Sequence, residues 1–121
     1  MFHDCSVVRF DIRGRDLLLE TEEFSLSETE TLPAARILIA GSRCIHRDGE
    51  LVAAFEVESD DAEIYSLDSL PDGVRMHLLW HFWRPRAPER WRSYWFPGAT
   101  LVLQALAGGP LLPFEVRSNE A

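Results

Sequence analysis

The stretch from Asp72 to Gly98, DGVRMHLLWHFWRPRAPERWRSYWFPG, constrains the fold more than any other part of the chain. It contains all four tryptophans and five of the twelve cationic residues. From Val74 to Trp83 two sets of residues alternate, and this is the period of a β-strand that turns one face to a core. The predicted core-facing set is apolar throughout: Val74, Met76, Leu78, Trp80 and Phe82. The opposite set is Arg75, His77, Leu79, His81 and Trp83.

The segment 84–88, RPRAP, interrupts this strand because proline cannot donate a hydrogen bond to a sheet and makes the preceding residue extended or part of a turn. The alternation resumes over 90–96, with Tyr94 and Phe96 on one face and Trp91, Ser93 and Trp95 on the other. Pro97-Gly98 is a turn signal. The stretch therefore predicts one long β-hairpin.

The alternative is a helix capped by Asp72, which would place His77 and His81 side by side on one face. Apolar residues would then surround that helix on all sides, and Gly73 would lie in its first turn. The aromatic content also suits a pleated surface better. The hairpin is therefore favoured.

The rest of the chain consists of short alternating segments separated by turns. Asp48-Gly49 predicts a tight hairpin turn, since this pair readily adopts positive φ angles. The segment 6–22 predicts a hairpin with Val8, Phe10 and Ile12 inward, and 24–33 predicts a loop or an irregular edge segment. Four further strands are predicted, the first of them bent at Gly41: 36–46, 51–57, 62–67 and 99–107. An edge strand is predicted over 111–116. The prediction is a single all-β domain over 1–121, an antiparallel meander of seven to nine strands (its central part 36–107) that forms a barrel or a two-sheet sandwich.

Composition narrows the class of protein. A chain of 121 residues can bury a core without disulfides, and a net charge of −8 argues against nucleic-acid binding, which needs a basic surface. Cys5 and Cys44 fit neither a disulfide framework nor a zinc motif, so we expect no metal or cofactor. The first residues resemble no signal peptide, and the apolar runs are too short to span a bilayer. We expect a cytoplasmic protein without membrane contact.

The histidines and Cys44 are the candidates for chemistry. On a strand, His77 and His81 share a face but lie about 13 Å apart, too far to bind one metal ion. Cys44 and His46 point to the same side at about 6.6 Å spacing, but no third group that would orient the imidazole is visible. A hydrolase or metalloenzyme would require these residues, or His3 and Asp4, to converge on one point. We expect them to have no catalytic role.

The aromatic residues opposite the predicted core face are the candidates for binding. Trp83, Trp91 and Trp95 are expected there beside Leu79, flanked by arginines. Such a face is the second half of a core if it is covered, and an interface or a ligand groove if it is open. Tryptophan and arginine are enriched in binding hot spots. The predicted binding residues are Trp83, Trp91, Trp95, Arg84, Arg86, His77 and His81.

Charge is distributed unevenly along the chain. Five arginines and one glutamate lie between Arg75 and Arg92, whereas acidic runs lie near 20–30 and 56–63. Such runs are usually solvated faces. Their opposite signs would also suit a homodimer or a docking surface for a charged partner.

The opening Phe2-His3-Asp4, followed by an alternating strand, a tight turn and a second strand, resembles the start of several small uncharacterised bacterial β-domains. The turn at Asp48-Gly49, the acidic segment before the strand 62–67 and the closing Tyr94-x-Phe96 are similar to the same pattern. Some relatives of that pattern resemble immunity proteins of bacterial toxin systems, which bind a toxin and have no catalysis of their own. The Trp-rich central strand departs from it, and no functional residue is carried over.

The sequence thus predicts a non-catalytic protein-interaction domain, whose partner is another protein or a second copy of the chain. The alternative is a small β-barrel in which the aromatic residues and histidines line a cavity for a small apolar ligand.

Overall fold

The computed structural model describes residues 5–22, 24–25, 31–32, 34–83, 85–105 and 114–115. Every regular element in these ranges is a β-strand, and every pairing between strands is antiparallel. The strands are β1 (Cys5–Arg13), β2 (Asp16–Thr21), β3 (Phe24–Ser25), β4 (Thr31–Leu32), β5 (Ala35–Ala40), β6 (Ile45–Arg47), β7 (Glu50–Val52), β8 (Asp61–Leu70), β9 (Gly73–Trp83), β10 (Arg86–Pro97), β11 (Thr100–Ala105) and β12 (Phe114–Glu115). The predicted all-β antiparallel class is confirmed.

Ten of these strands form one sheet in the order β12-β11-β5-β2-β1-β8-β9-β10-β6-β7, and β3 pairs with β4 in a separate two-stranded sheet. The large sheet is open between β12 and β7, so it is not a closed barrel. One buried cluster nevertheless contains side chains from both ends of this order, including Leu103 on β11 and Ile45 on β6. The sheet therefore curls around a single core.

The central hairpin is formed by β9 and β10 as predicted, and the helical alternative is wrong. Val74 lies opposite Phe96, and Met76 lies opposite Tyr94. Both pairs point into the core, where each side chain is essentially inaccessible to water. The second strand begins at Arg86, before the start at Arg90 that Pro85 and Pro88 had indicated. An irregularity in the pairing between Ala87 and Arg90 accommodates Pro88, which has no N–H to donate to the sheet.

The bend predicted at Gly41 is present, but the segment 36–46 forms two strands and not one, because the chain passes from one end of the sheet toward the other within it. β5 pairs with β2 and β11, whereas β6 pairs with β10 and β7. Gly41, with a φ of 80°, lies at the change of direction. The turn at Asp48-Gly49 forms as predicted, with φ angles of 53° and 85°.

The predicted strand over 51–57 ends at Val52, and the following residues form no regular element up to Asp60. Phe55 in this segment enters the core, where its ring lies 5.0 Å from the ring of Tyr94 and 6.2 Å from that of Trp80. The segment 53–60 is therefore anchored by packing rather than by strand pairing.

The hairpin over 6–22 is formed by β1 and β2, but its inward residues differ from the prediction. A register shift between Val7 and Arg9 makes Val7 buried and Val8 58% exposed. Phe10 packs against the core as expected, whereas Ile12 lies near the turn and is 38% exposed. An irregularity of one residue moves the side chains on one side of it to the opposite face of the strand. No glycine, proline or other feature of the sequence marks that irregularity between Val7 and Arg9.

The predicted loop over 24–33 contains the short strands β3 and β4. The predicted edge strand over 111–116 is described only at β12, which pairs with β11. The opening residues Phe2, His3 and Asp4 and the end of the predicted strand over 99–107 lie outside the described residues.

Candidate interaction surface

The outward-facing side of β8, β9 and β10 carries five large apolar side chains, which we call the outer aromatic face: Tyr65, Leu79, Trp83, Trp91 and Trp95. Strand alternation places them opposite the core residues, as the sequence predicted for the last four. Trp83 is 56% exposed and Trp91 is 55% exposed, whereas Leu79 and Trp95 are half-buried. Water therefore reaches large aromatic surfaces at this face.

Tyr65 lies on this face because it alternates with the buried Ala62 and Ile64, and β8 is irregular between Ile64 and Ser66. Its ring meets the ring of Trp91 edge to face, with centroids 5.1 Å apart and planes at 89°. β9 lies between β8 and β10 in the sheet, so this ring pair spans the central strand. Edge-to-face packing fixes the orientation of two exposed rings without burying them.

Trp83 marks the other end of the face, beside the hairpin turn. Its indole Nε1 donates a hydrogen bond to Asp61 Oδ2 at 2.5 Å, and its ring stacks on that of His81 with centroids 5.9 Å apart. These two contacts hold the indole in one orientation although more than half of it is exposed. The ring is therefore ordered before any partner binds.

His81 lies between two carboxylates. Its Nε2 is 2.9 Å from Glu63 Oε1 in a hydrogen bond, and its Nδ1 is 3.4 Å from Glu89 Oε1. The second contact lies within ion-pair distance but lacks hydrogen-bond geometry, so the buried Nδ1 has no hydrogen-bond partner. The imidazole thus bonds to β8 and lies close to a carboxylate of β10.

His77 has a different partner, since its Nδ1 shares a hydrogen bond of 2.7 Å with the hydroxyl of Ser66. The two histidines lie on the same face, as predicted, and each is engaged by a neighbour on β8. The structure does not bring them together. Further along the face, Arg75 lies over the ring of Trp95 at 6.0 Å and opposite Asp68 on β8.

The arginines do not surround the face as the sequence suggested. Arg86 is exposed and makes no ion pair with any described residue, and Arg84 lies outside the described residues. Arg90 and Arg92 lie on the opposite side of β10, facing Glu58. Their positions have the same parity as Tyr94 and Phe96, so the strand period directs them away from the tryptophans.

Glu58 connects this arginine pair to the core. Its Oε1 accepts a hydrogen bond of 2.6 Å from Arg90, and its Oε2 accepts bonds of 2.8 Å from Arg92 and 3.4 Å from the hydroxyl of Tyr94. Arg92 also donates to Asp48 Oδ2 at 2.7 Å. The network fastens the segment 53–60 and the turn at Asp48 to β10.

The ionisation of these groups follows from the network. Burial raises the pKa of Glu58, but hydrogen bonds and charge from Arg92 and Arg90 outweigh it, so the net pKa is lowered. The pKa of Asp48 is lowered in the same way by the backbone N–H of Ser93 and by Arg92. Hydrogen bonds to Glu58 and Asp48 raise the pKa of Arg92, and burial raises that of Tyr94. All four groups stay in their ordinary charge states near neutral pH.

Two open clefts are lined in part by Trp83. One, of about 520 Å³, is lined by His81, Trp83, Arg86 and Glu89, among others. The other, of about 790 Å³, is lined by Asp60 as well as Phe82 and Trp83. Trp83 therefore contributes to both grooves at the end of the central hairpin.

Cys44 and His46 do come together, which the sequence did not lead us to expect. The thiol Sγ is 3.5 Å from His46 Nε2, close enough for a weak hydrogen bond. No described residue hydrogen-bonds the other ring nitrogen of His46, so the third group of a catalytic arrangement is missing from this part of the chain. Geometry alone gives this pair no catalytic assignment.

Within the described ranges, no group of three or more His, Cys, Asp or Glu residues is placed to hold a metal ion. The same residues include no helix with the length and hydropathy needed to cross a membrane. No protein-family model matches the chain, and no significant match occurs among curated proteins or solved structures.

Sequence reasoning missed two parts of this surface. Tyr65 was overlooked, although its alternation with Ala62 and Ile64 directs it outward. Asp61 and Glu63 were treated only as part of an acidic run, although alternation along β8 places both on one side. The sequence shows that Asp61 and Glu63 share a face of the strand, but it does not show that β8 pairs with β9. That pairing places Asp61 beside Trp83 and Glu63 beside His81.

Proposed function

We propose that this chain is a non-catalytic, cytoplasmic protein-interaction domain that binds its partner through the outer aromatic face. The exposure of Trp83 and Trp91, which are fixed in orientation by neighbouring side chains, carries this proposal. Isolated exposed apolar residues are normal, but several aromatic side chains exposed on one sheet face are typical of interfaces. Tryptophans held in place before binding lose little conformational entropy on association.

The test removes the exposed rings and leaves the core unchanged. The immobilised chain is exposed to an extract of the source cells, and the proteins that it retains are identified. We expect the variant with Trp83→Ser and Trp91→Ser to lose proteins that wild type retains. The matched control is Ile12→Ser with Val57→Ser, which removes exposed apolar side chains elsewhere. Any protein lost selectively is then purified, and hydrogen exchange of the complex must show protection over 61–69 and 75–95.

Self-association is measured in parallel by light scattering after size exclusion, for wild type and for Trp91→Ala with Trp95→Ala. A dimer that becomes a folded monomer in this variant would identify the partner as a second copy. If both serine variants retain the same proteins and wild type is monomeric, the proposal is wrong.

A second candidate function is the binding of a small apolar ligand, and the clefts beside Trp83 are the observation that favours it. Their volumes fall in the range typical of ligand pockets, roughly 300–1,000 Å³. Both are open grooves at the surface and not the barrel interior that the sequence alternative required. Quenching of Trp83 fluorescence by a panel of apolar compounds, absent in Trp83→Phe, would support this function.

A further inference from the structure

We infer that the partner of the outer aromatic face is a basic protein segment, whose arginine or lysine side chains lie against Trp83 between the carboxylates of Asp61, Glu63 and Glu89. This inference rests on the proposed function and specifies its partner class. It differs from the arginine-rich rim that the sequence suggested.

Carboxylates outnumber guanidinium groups among the described charged residues at this face. The acidic groups that contact the face or lie cross-strand from it are Asp61, Glu63, Asp68 and Glu89, and the basic ones are Arg75 and Arg86. Arg90 and Arg92, which would have cancelled this excess, are turned away and neutralised by Glu58 and Asp48. Among the residues that the structure describes, those around the exposed aromatic rings therefore carry an excess of negative charge.

This combination of groups matches the chemistry of a cationic side chain. The face of an indole attracts an ammonium or guanidinium group within about 6 Å, and a nearby carboxylate adds a charge-assisted hydrogen bond. One ring face of Trp83 stacks on His81, and its Nε1 is already bonded to Asp61. Its remaining exposed surface adjoins both clefts, one lined by Glu89 and the other by Asp60.

The same charge balance argues against a second copy as the occupant. Two identical faces would bring like charges together, and each chain carries a net charge of −8. Like-charge contact opposes association, whereas a basic partner neutralises the excess and is also steered toward the face over long distances. The favoured occupant is therefore a different, basic protein.

The test uses a blocked peptide of four Gly-Arg repeats, with Gly-Glu and Gly-Ser repeats of equal length as controls. Binding is followed by nuclear magnetic resonance of the tryptophan indole N–H signals at low salt. Only the arginine peptide should shift the Trp83 signal, and its affinity should fall steeply as salt is added. Equal shifts with all three peptides, or none with the arginine peptide, would overturn the inference.

A matched pair of variants separates a specific site from general attraction to an acidic protein. Glu63→Gln with Glu89→Gln removes charge at the face, whereas Glu22→Gln with Glu50→Gln removes the same charge at exposed positions elsewhere. We expect the first pair to weaken binding about tenfold and the second less than twofold. Equal weakening by the two pairs would overturn the inference.

The outcomes also distinguish this inference from the proposed function. If a purified partner protects the outer aromatic face in hydrogen exchange but binds equally well at high salt and to the Glu63/Glu89 variant, only the inference fails. If no protein depends on Trp83 and Trp91, the proposed function fails as well. Circular dichroism of every variant establishes that it is folded before binding is measured.

Discussion

The indole Nε1 of Trp80 donates a hydrogen bond of 3.0 Å to the hydroxyl of Tyr94 inside the core. The two side chains come from neighbouring strands and are both essentially inaccessible to water. A buried donor needs a partner, because an unsatisfied one costs about 1–3 kcal/mol. This bond allows the core to contain a tryptophan and a tyrosine at its centre.

Tyr94→Phe should therefore lower the free energy of unfolding by about 1–3 kcal/mol, since it leaves the Trp80 donor unpaired. Chemical denaturation measures this loss. In a Trp80→Phe background the donor is already absent, so the same substitution should cost clearly less. Equal costs in the two backgrounds would show that the hydrogen bond contributes nothing.

The two faces of the central hairpin should lose very different amounts of stability when an indole is removed. Trp80→Ala removes a fully buried side chain and should cost about 3–5 kcal/mol or prevent folding. Trp91→Ala removes a side chain that is 55% exposed and should cost less than about 1 kcal/mol. Thermal unfolding of the two variants checks this contrast, and a large loss for Trp91→Ala would mean that the outer aromatic face is structural.

This contrast between the two faces could be predicted from the sequence, because alternation is a local property of a strand. The division between Trp80 inside and Trp91 outside requires only the period of two and the turn signals at either end. The same period also directed Arg90 and Arg92 away from the tryptophans, although their nearness in sequence suggested otherwise. Their partner Glu58 was beyond prediction, since it lies on a segment without regular structure.

Strand pairing, by contrast, is non-local and was not predictable from the pattern. Gly41 predicts a bend within 36–46, but nothing in the pattern indicates that the residues before it pair with β2 and those after it pair with β10. The register shifts at Val7 and at Ile64 likewise depend on neighbouring strands. For that reason Val8 was assigned to the wrong face.

Acid should weaken the fold through Glu58 and Asp48. The pKa of each is lowered in the folded state from ordinary values of 4.5 and 3.8, so their ion pairs stabilise the fold fully above these values. As the pH falls below about 4.5, the unfolded chain takes up protons first, and stability declines until the folded-state pKa values are passed. Denaturation series between pH 7 and pH 2.5 should show a smaller decline for Glu58→Gln than for wild type.

Gly73 lies at the start of β9 beneath the ring of Trp95. A Cβ atom added there would lie 2.4 Å from the carbonyl oxygen of Phe96 and 2.8 Å from the Trp95 ring. Gly73→Ala should therefore cost about 3 kcal/mol, because the clash involves backbone. The control Gly14→Ala meets nothing within 4 Å but has a φ of 66°, so it should cost only about 1–2 kcal/mol. Equal losses in urea denaturation would contradict the predicted steric effect.

Arg36 offers a position at which stability should increase. Its Nε is buried without a hydrogen-bond partner, whereas Glu20, which lies opposite on β2, pairs with Arg9. Arg36→Met keeps the apolar stem of the side chain and removes the unsatisfied donor, so it should raise the free energy of unfolding by about 1 kcal/mol. The control Arg9→Met removes an exposed cation that has a partner and should give no gain. Urea denaturation of both variants measures the difference, and a loss for Arg36→Met would mean that the guanidinium stabilises the sheet.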